Sequence, residues 1–221
     1  MANSQGTQRS VALSKETTFG TKPAKNTAKL LPRIETSLNV NFDAFQSGEI
    51  RTDMQRAASI VGFEKVEGDV KGELAAGQWA WAFAAALRGA FGAEAKPPMI
   101  KKTANGQGEK NGKILVVPQT AHTTDSFTIE DWFKDIGLSR QYLGCRVSKL
   151  SLEVEPNGIA SVTVTFLGQR GEEQTAQYFT NPSDIAQSGK LAGVKGSLQL
   201  NKQQMALITS FKLDIDLNAS S

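Results

Sequence analysis

Alternation of apolar and polar positions with a period of two dominates the chain, and it marks strands with one buried face. From Lys65 to Leu74, the residues Val66, Gly68, Val70, Gly72 and Leu74 alternate with Glu67, Asp69, Lys71 and Glu73. From Lys149 to Glu155, Leu150, Leu152 and Val154 oppose Ser151, Glu153 and Glu155. Pro156-Asn157-Gly158 then turns the chain, and Ser161 to Leu167 answers with Val162, Val164 and Phe166 against Ser161, Thr163 and Thr165, which predicts a β-hairpin. Ser210 to Leu217 alternates Phe211, Leu213, Ile215 and Leu217 with Lys212, Asp214 and Asp216, after a strand predicted over Val194 to Leu200. Weaker strand signals cover Thr36 to Asp43, Phe45 to Thr52, Ile114 to Gln119 and Phe127 to Phe133.

One segment breaks the pattern. Ala75 to Phe91 is alanine-rich and sets Trp79, Phe83, Leu87 and Phe91 at successive i, i+4 positions, which predicts a single helix packing this stripe onto a sheet. Trp81 points about 160° from the centre of that stripe, beside Arg88, so its indole is either covered by another part of the chain or faces a neighbouring subunit. Many strands and one helix predict a mainly β fold, a β-sandwich or half-barrel with the helix at its side.

The chain has 221 residues, 39% apolar and 21% charged, enough for a sizeable core. No apolar run is long enough for a transmembrane helix, and the start, MANSQGTQRS, lacks a secretory pattern, so the expected compartment is a cytoplasm. One cysteine, Cys145, and one histidine, His122, leave no internal disulfide and no Cys/His zinc site of the usual kind. No G-x-S-x-G element or second histidine marks a partner for His122, and Cys145 reads as a small buried apolar residue. The run Gly106 to Gly112 has neither phosphate-loop spacing and reads as a loop. Glu130, Asp131 and Asp135 surround Trp132 without the spacing of a calcium loop and read as solvated or ion-paired acids. No catalytic residue, metal site or cofactor is expected.

Charge is informative only once it is divided by position. The 25 basic and 22 acidic residues leave +3. Residues 1 to 40 hold Arg9, Lys15, Lys22, Lys25, Lys29 and Arg33 against Glu16 and Glu35, and residues 92 to 113 hold Lys96, Lys101, Lys102, Lys110 and Lys113 against Glu94 and Glu109. The remainder is net acidic. Both basic segments lack an apolar period and read as an arm, residues 1–35, and a long loop, residues 92–113, riding on an acidic body, residues 36–221.

Several short blocks, in order, resemble the tail tube proteins of long-tailed bacteriophages, especially the non-contractile siphophage class. They are Glu16-Thr17-Thr18-Phe19-Gly20-Thr21-Lys22-Pro23, similar to an E-T-x-G-T-x-P element, then Ser47 to Asp53, Val66-Glu67-Gly68 before the alanine-rich helix, Ser126 to Glu130, and Gly144 to Leu152 with the turn and Val162 to Gly168. Together they run over roughly residues 11 to 217. The resemblance implies a structural virion protein whose hexameric rings stack into a hollow tube, with an inner wall formed as a β-barrel shared between subunits. It implies further that DNA passes through the lumen, that a tape measure protein lies inside, and that tail terminator and distal tail proteins sit at the ends. The expected location is the virion tail, with the host cytoplasm before assembly.

A tube wall that conducts DNA must not hold it, because basic surfaces bind duplex DNA by releasing condensed counterions. The polar faces of the strands carry Glu67, Asp69, Glu73, Glu153, Glu155, Asp214 and Asp216 against Lys71, Lys149 and Lys212. These acids are either lumen-facing or an ordinary solvated outer face. Trp81, Arg88, Lys96, Lys101, Lys102, Lys110, Lys113, Lys22, Lys25 and Lys29 are candidate inter-subunit residues, with arm and loop docking on acidic patches of neighbours and ordering on assembly. The alternatives are the tube of a contractile tail or related secretion device, and, in a different class, a nucleic-acid-binding module using the basic segments.

Overall fold

The computed structural model describes residues 8–48, 59–95, 112–184, 189–193, 199–200, 203–204 and 210–218. The strands are β1 (Arg9–Lys15), β2 (Lys29–Leu30), β3 (Glu35–Thr36), β4 (Asn39–Phe45), β5 (Ile60–Glu73), β6 (Phe91–Ala95), β7 (Gly112–Leu115), β8 (Phe127–Phe133), β9 (Leu138–Val154), β10 (Ser161–Gly168), β11 (Arg170–Gln174), β12 (Ser183–Asp184), β13 (Gln199–Leu200), β14 (Gln203–Gln204) and β15 (Phe211–Asp216); the helix α1 is Ala80–Ala86. The result is a mainly β, sandwich-like fold with one helix among the described residues, as the alternation implies.

The long strand β9 organises the molecule, because its two halves belong to different sheets. Its first half pairs with β8 and β11, and β8 continues through β1 and β2 to β12. Its second half lies between β15 and β10, and β10 leads to β5, whose far edge carries β3 and β4. A register shift at Thr165/Phe166 in the β9–β10 pair marks the changeover, where a bulge lets the strand bend. One apolar core serves both sheets: Val66, Val70, Leu150, Val162, Val164 and Phe166 from the second meet Val11, Leu13, Phe127, Ile129 and Tyr142 from the first, with Trp79, Ala82, Ala85 and Ala86 of the helical segment. Each such large side chain, when fully buried, contributes about 1.5–3 kcal/mol.

Three expectations change. The helix is Ala80–Ala86, not 75–91. Ala75 forms a bridge to Lys190, and the Trp79 indole N–H is anchored on the Glu73 carbonyl at 3.0 Å. At the other end Arg88 turns to φ 49° and Phe91 enters β6, so neither flank has a helical backbone. The stretch expected as a basic arm contains a strand of the sheet: β1 pairs with β8 along its whole length and buries Val11, Ala12 and Leu13. The expected loop 92–113 begins and ends as a paired stem, with Phe91 opposite Leu115 and Glu94 opposite Lys113; residues 96–111 lie outside the described residues. Of the strand expected over 194–200, only β13 is described, and the part of the 45–52 signal beyond Gly48 lies outside.

Candidate functional site

Two antiparallel registers, β15 on β9 and β9 on β10, and a third, β10 on β5, decide which polar residues share a face. They form cross-strand rows. Lys212 lies opposite Glu153, Glu153 opposite Ser161, and Ser161 opposite Glu73. The next row runs Asp214, Ser151, Thr163, Lys71 and Glu35. The third runs Asp216, Lys149, Thr165 and Asp69, and Glu67 follows opposite Leu167. The opposite face of the same strands supplies the core, with Val66, Val70, Val162, Val164 and Leu150 buried. Glu67, Asp69, Glu73, Glu153, Asp214 and Asp216, picked out separately by alternation, therefore meet on one polar surface with Lys71, Lys149 and Lys212 interspersed. Glu155 does not belong to it: β9 ends at Val154, and Glu155 lies in the turn that follows.

Local pairing tempers this acidic surface without neutralising it. Lys65 reaches Glu67 at 3.2 Å, Lys190 reaches Glu73 at 3.0 Å and Lys212 reaches Asp214 at 3.6 Å. The Ser151 hydroxyl donates to the Asp214 carboxylate. That hydrogen bond, followed by the charges of Lys212 and Lys149, holds the Asp214 pKa below its ordinary value, so the group stays ionised at neutral pH. These exposed pairs are screened by salt and add little to stability.

The sheet has two open edges. Among the described residues β15 pairs only with β9, and β4 only with β5. Large apolar side chains line both: Phe211 and Leu213 on β15, Phe42 and Phe45 on β4, with Ile60, Val61 and Phe63 beside the latter at 67%, 70% and 83% exposure. Beyond Val66, β5 keeps only β4 as a partner, because β10 stops there. At the base of this ribbon Glu64 accepts the Gly171 N–H at 2.7 Å and Val40 packs against the core, whereas the exposed apolar residues farther out, Phe42, Phe45, Ile60, Val61 and Phe63, mark a candidate contact surface. The sequence contains the signal, Phe42, Phe45 and Phe63 in strand-like contexts, but it does not reveal that the three are more than half exposed among the described residues.

The inter-subunit candidates divide. Trp81 is taken up by its own chain: its ring lies 5.3 Å from that of Phe127, 6.2 Å from Phe166 and 5.9 Å from Trp79. The short helix places it over the core rather than outward. Lys22 is held by Glu172 at 2.6 Å and lies 4.9 Å from the Tyr178 ring, with Lys25 at 5.6 Å from the same ring. Arg88, Lys29 and Lys113 are exposed. Lys96, Lys101, Lys102 and Lys110 lie outside the described residues.

Buried charge elsewhere serves structure. Glu16 accepts from Ser126 Oγ and Thr128 Oγ1 at 2.7 Å and from the backbone N–H groups of Gly20 and Gly144 at 2.8 Å. Glu130 accepts from Ser139 and from the Tyr178 and Phe179 N–H groups, and Asp131 pairs with Arg9 through two hydrogen bonds. Burial pushes the Cys145 thiol far above its ordinary pKa, so it stays protonated. His122 is exposed. Among the described residues no group of three His, Cys, Asp or Glu is placed to hold a metal ion.

Two solved structures are similar to this chain, at low identity. The anti-feeding prophage cap, an AFP tube terminating cap, is 13% identical with a TM-score of 0.45, over 80% of this chain and 93% of that one. A sheath-tube complex of an extracellular contractile injection system, PVC, in its extended state, is 12% identical with a TM-score of 0.39, over 74% and 87%. No curated protein matches the sequence. The family described as phage tail tube protein matches residues 6–220, nearly the whole chain, and the chain belongs to that family, whose members are structural components of the virion tail.

Proposed function

We propose that this chain is the tube subunit of a non-contractile siphophage tail, forming hexameric rings that stack into the conduit for DNA. The observation that carries the proposal is the polar face of β15, β9, β10 and β5, backed by the core and, among the described residues, uncovered and flanked by two unpaired edges. In a ring the edges are satisfied by copies of the same chain, and the polar face becomes the wall of the lumen. The siphophage assignment rests on the order of sequence blocks that begins with Glu16 to Pro23.

The wall then works by repulsion. Duplex DNA carries one negative charge per about 1.7 Å of axis, and the acidic side chains of Glu153, Asp214 and Asp216 offer it no counterion-releasing contacts. Their field reaches about 8 Å at physiological salt, which keeps a close-fitting duplex centred. The interspersed Lys71 lies opposite Glu35 and Lys149 opposite Asp216, and Lys212 reaches Asp214 at 3.6 Å, so each cation has a carboxylate beside it. In this account the tape measure protein occupies the same lumen before DNA, terminator and distal tail proteins cap the ends, and Arg88, Lys29 and Lys113 face neighbouring subunits. The protein needs no cofactor and catalyses no reaction.

Negative-stain microscopy of the purified chain tests the proposal. Rings with six-fold symmetry and tubes of constant diameter are expected; a chain that stays monomeric under all assembly conditions, or that binds DNA tightly, contradicts it.

A further inference from the structure

Strand parity constrains how one subunit joins the next. From β15 through β9, β10 and β5 to β4, each neighbouring pair is antiparallel, so five strands alternate in direction and the two outer ones run the same way. β3 also pairs antiparallel with β5, and the Ser37 N–H bonds to the Asp69 carbonyl at 2.9 Å between the two. Residues 35–45 thus form one kinked edge strand of a single direction. In a ring generated by rotation alone, every copy has the same polarity along the axis.

We propose that β15 of one subunit pairs in parallel with the β3–β4 edge of the next, making one parallel seam per subunit in an otherwise antiparallel wall. This rests on the ring assembly proposed above and adds which strands meet and in which direction. Side-chain chemistry selects this junction over a two-fold one. Joining β15 to β4 continues the sheet: Phe211 and Leu213, on the core side and 37% and 41% exposed, come beside Val40 and Phe42, which share that side with the buried Val66. On the polar side this edge carries Asn39 and Asn41 between Glu35 and Asp43, so a register that sets Asp214 and Asp216 beside the two asparagines avoids like-charge pairs. Pairing β15 with a second β15 about a two-fold instead crowds two copies of Asp214 and Asp216 together, against one Lys212 from each, and like charges across a strand pair are destabilising. Parallel pairs are slightly weaker per residue than antiparallel ones, so this seam is the wall's most yielding line.

Disulfide trapping in assembled rings reads the direction without knowledge of the register. Cysteine is placed at Lys212, Asp214 or Asp216 in combination with Asn39, Asn41 or Asp43; the native Cys145 is buried and silent. The expected result is a ladder of covalent oligomers ending at the closed ring, with the position trapped by Asp216→Cys lying C-terminal to the one trapped by Lys212→Cys. The reverse order, or dimers from β15 single variants alone, overturns the parallel seam. Hydrogen exchange of the unaltered chain guards against variants that fail to assemble: amide protons of Phe211 to Asp216 that do not face β9 should slow by about 100-fold on assembly. Rings or tubes without that protection refute the seam but leave the tube assignment standing; an unaltered chain that forms neither removes both.

Discussion

Glu16 and Gly144 lie far apart in sequence, yet Glu16 Oε1 accepts the Gly144 N–H at 2.8 Å. The same carboxylate holds Gly20 in its own loop, Ser126 just before β8 and Thr128 on it, so one side chain ties the segment after β1 to β8 and β9. This gives the Glu16-to-Pro23 element a physical basis. Glu16→Ala leaves buried hydroxyl and N–H donors unpaired and is expected to cost about 3 kcal/mol. Glu16→Gln keeps the shape but turns one acceptor into a donor aimed at donors, and should recover less than half of that loss. Urea unfolding of the two variants checks both values; a loss below about 1 kcal/mol for Glu16→Ala contradicts this role.

Tyr142 makes stability fall in alkali. Its hydroxyl donates to the Leu38 carbonyl at 3.0 Å, and burial, with the nearby Asp131 charge, pushes its pKa from 10.0 up to about 12. The neutral form is favoured in the folded state. The contribution is therefore complete below the unfolded value near pH 10 and is lost as pH rises through the folded value. Tyr142→Phe should cost about 1 kcal/mol at pH 7, and the unaltered chain should lose about 2 kcal/mol more than this variant between pH 10 and 12. Cys145 and Tyr178, whose pKa values are also raised, titrate in both proteins, so the difference isolates Tyr142.

Cys145 should be silent toward thiol reagents in the native protein. It is fully buried, its thiol is held protonated, and Gly168 packs so closely that an added methyl there would lie 2.9 Å from the sulfur. Labelling in denaturant should exceed native labelling by at least about 100-fold. Comparable rates mean that the β9 changeover opens readily. Gly168→Ala should raise the native rate by forcing β10 away from β9.

Where one face of a strand is wet and the other dry, the chain advertises it. Val66 to Glu73, Leu150 to Val154, Val162 to Phe166 and Phe211 to Asp216 are strands, and the acids read from their alternation, Glu155 apart, share one surface. β1 fails that test because both its faces are covered: Val11 and Leu13 enter the main core, while Ala12 packs with Ala28 and Phe179 on the other side. The first half of β9 is likewise buried on both sides from Gln141 to Cys145, so it carries no period of two. The observed helix is shorter than the alanine and i, i+4 aromatic pattern predicts because contacts to Lys190 and Glu73 claim its N-terminal flank and pairing of Phe91 with Leu115 claims its C-terminal one. Open edges were not legible at all, since they depend on what fails to pack against Phe42 and Phe211.

Charge reversal on the polar face should slow DNA passage. Asp214→Lys with Asp216→Lys turns repulsive positions into phosphate contacts, and each added contact steepens the salt dependence of DNA affinity by about 0.9 in log–log slope. Virions assembled with this subunit should eject DNA several-fold more slowly at low salt and approach normal rates at high salt. Normal low-salt ejection from correctly assembled tails places these residues away from the DNA path.

A helical reconstruction of purified tubes decides which way the acidic face points. Glu153, Asp214, Asp216, Asp69 and Glu73 should line the lumen, with α1 and the core behind them. A map that sets this face on the outer surface, or buries it between rings, overturns the lumen assignment.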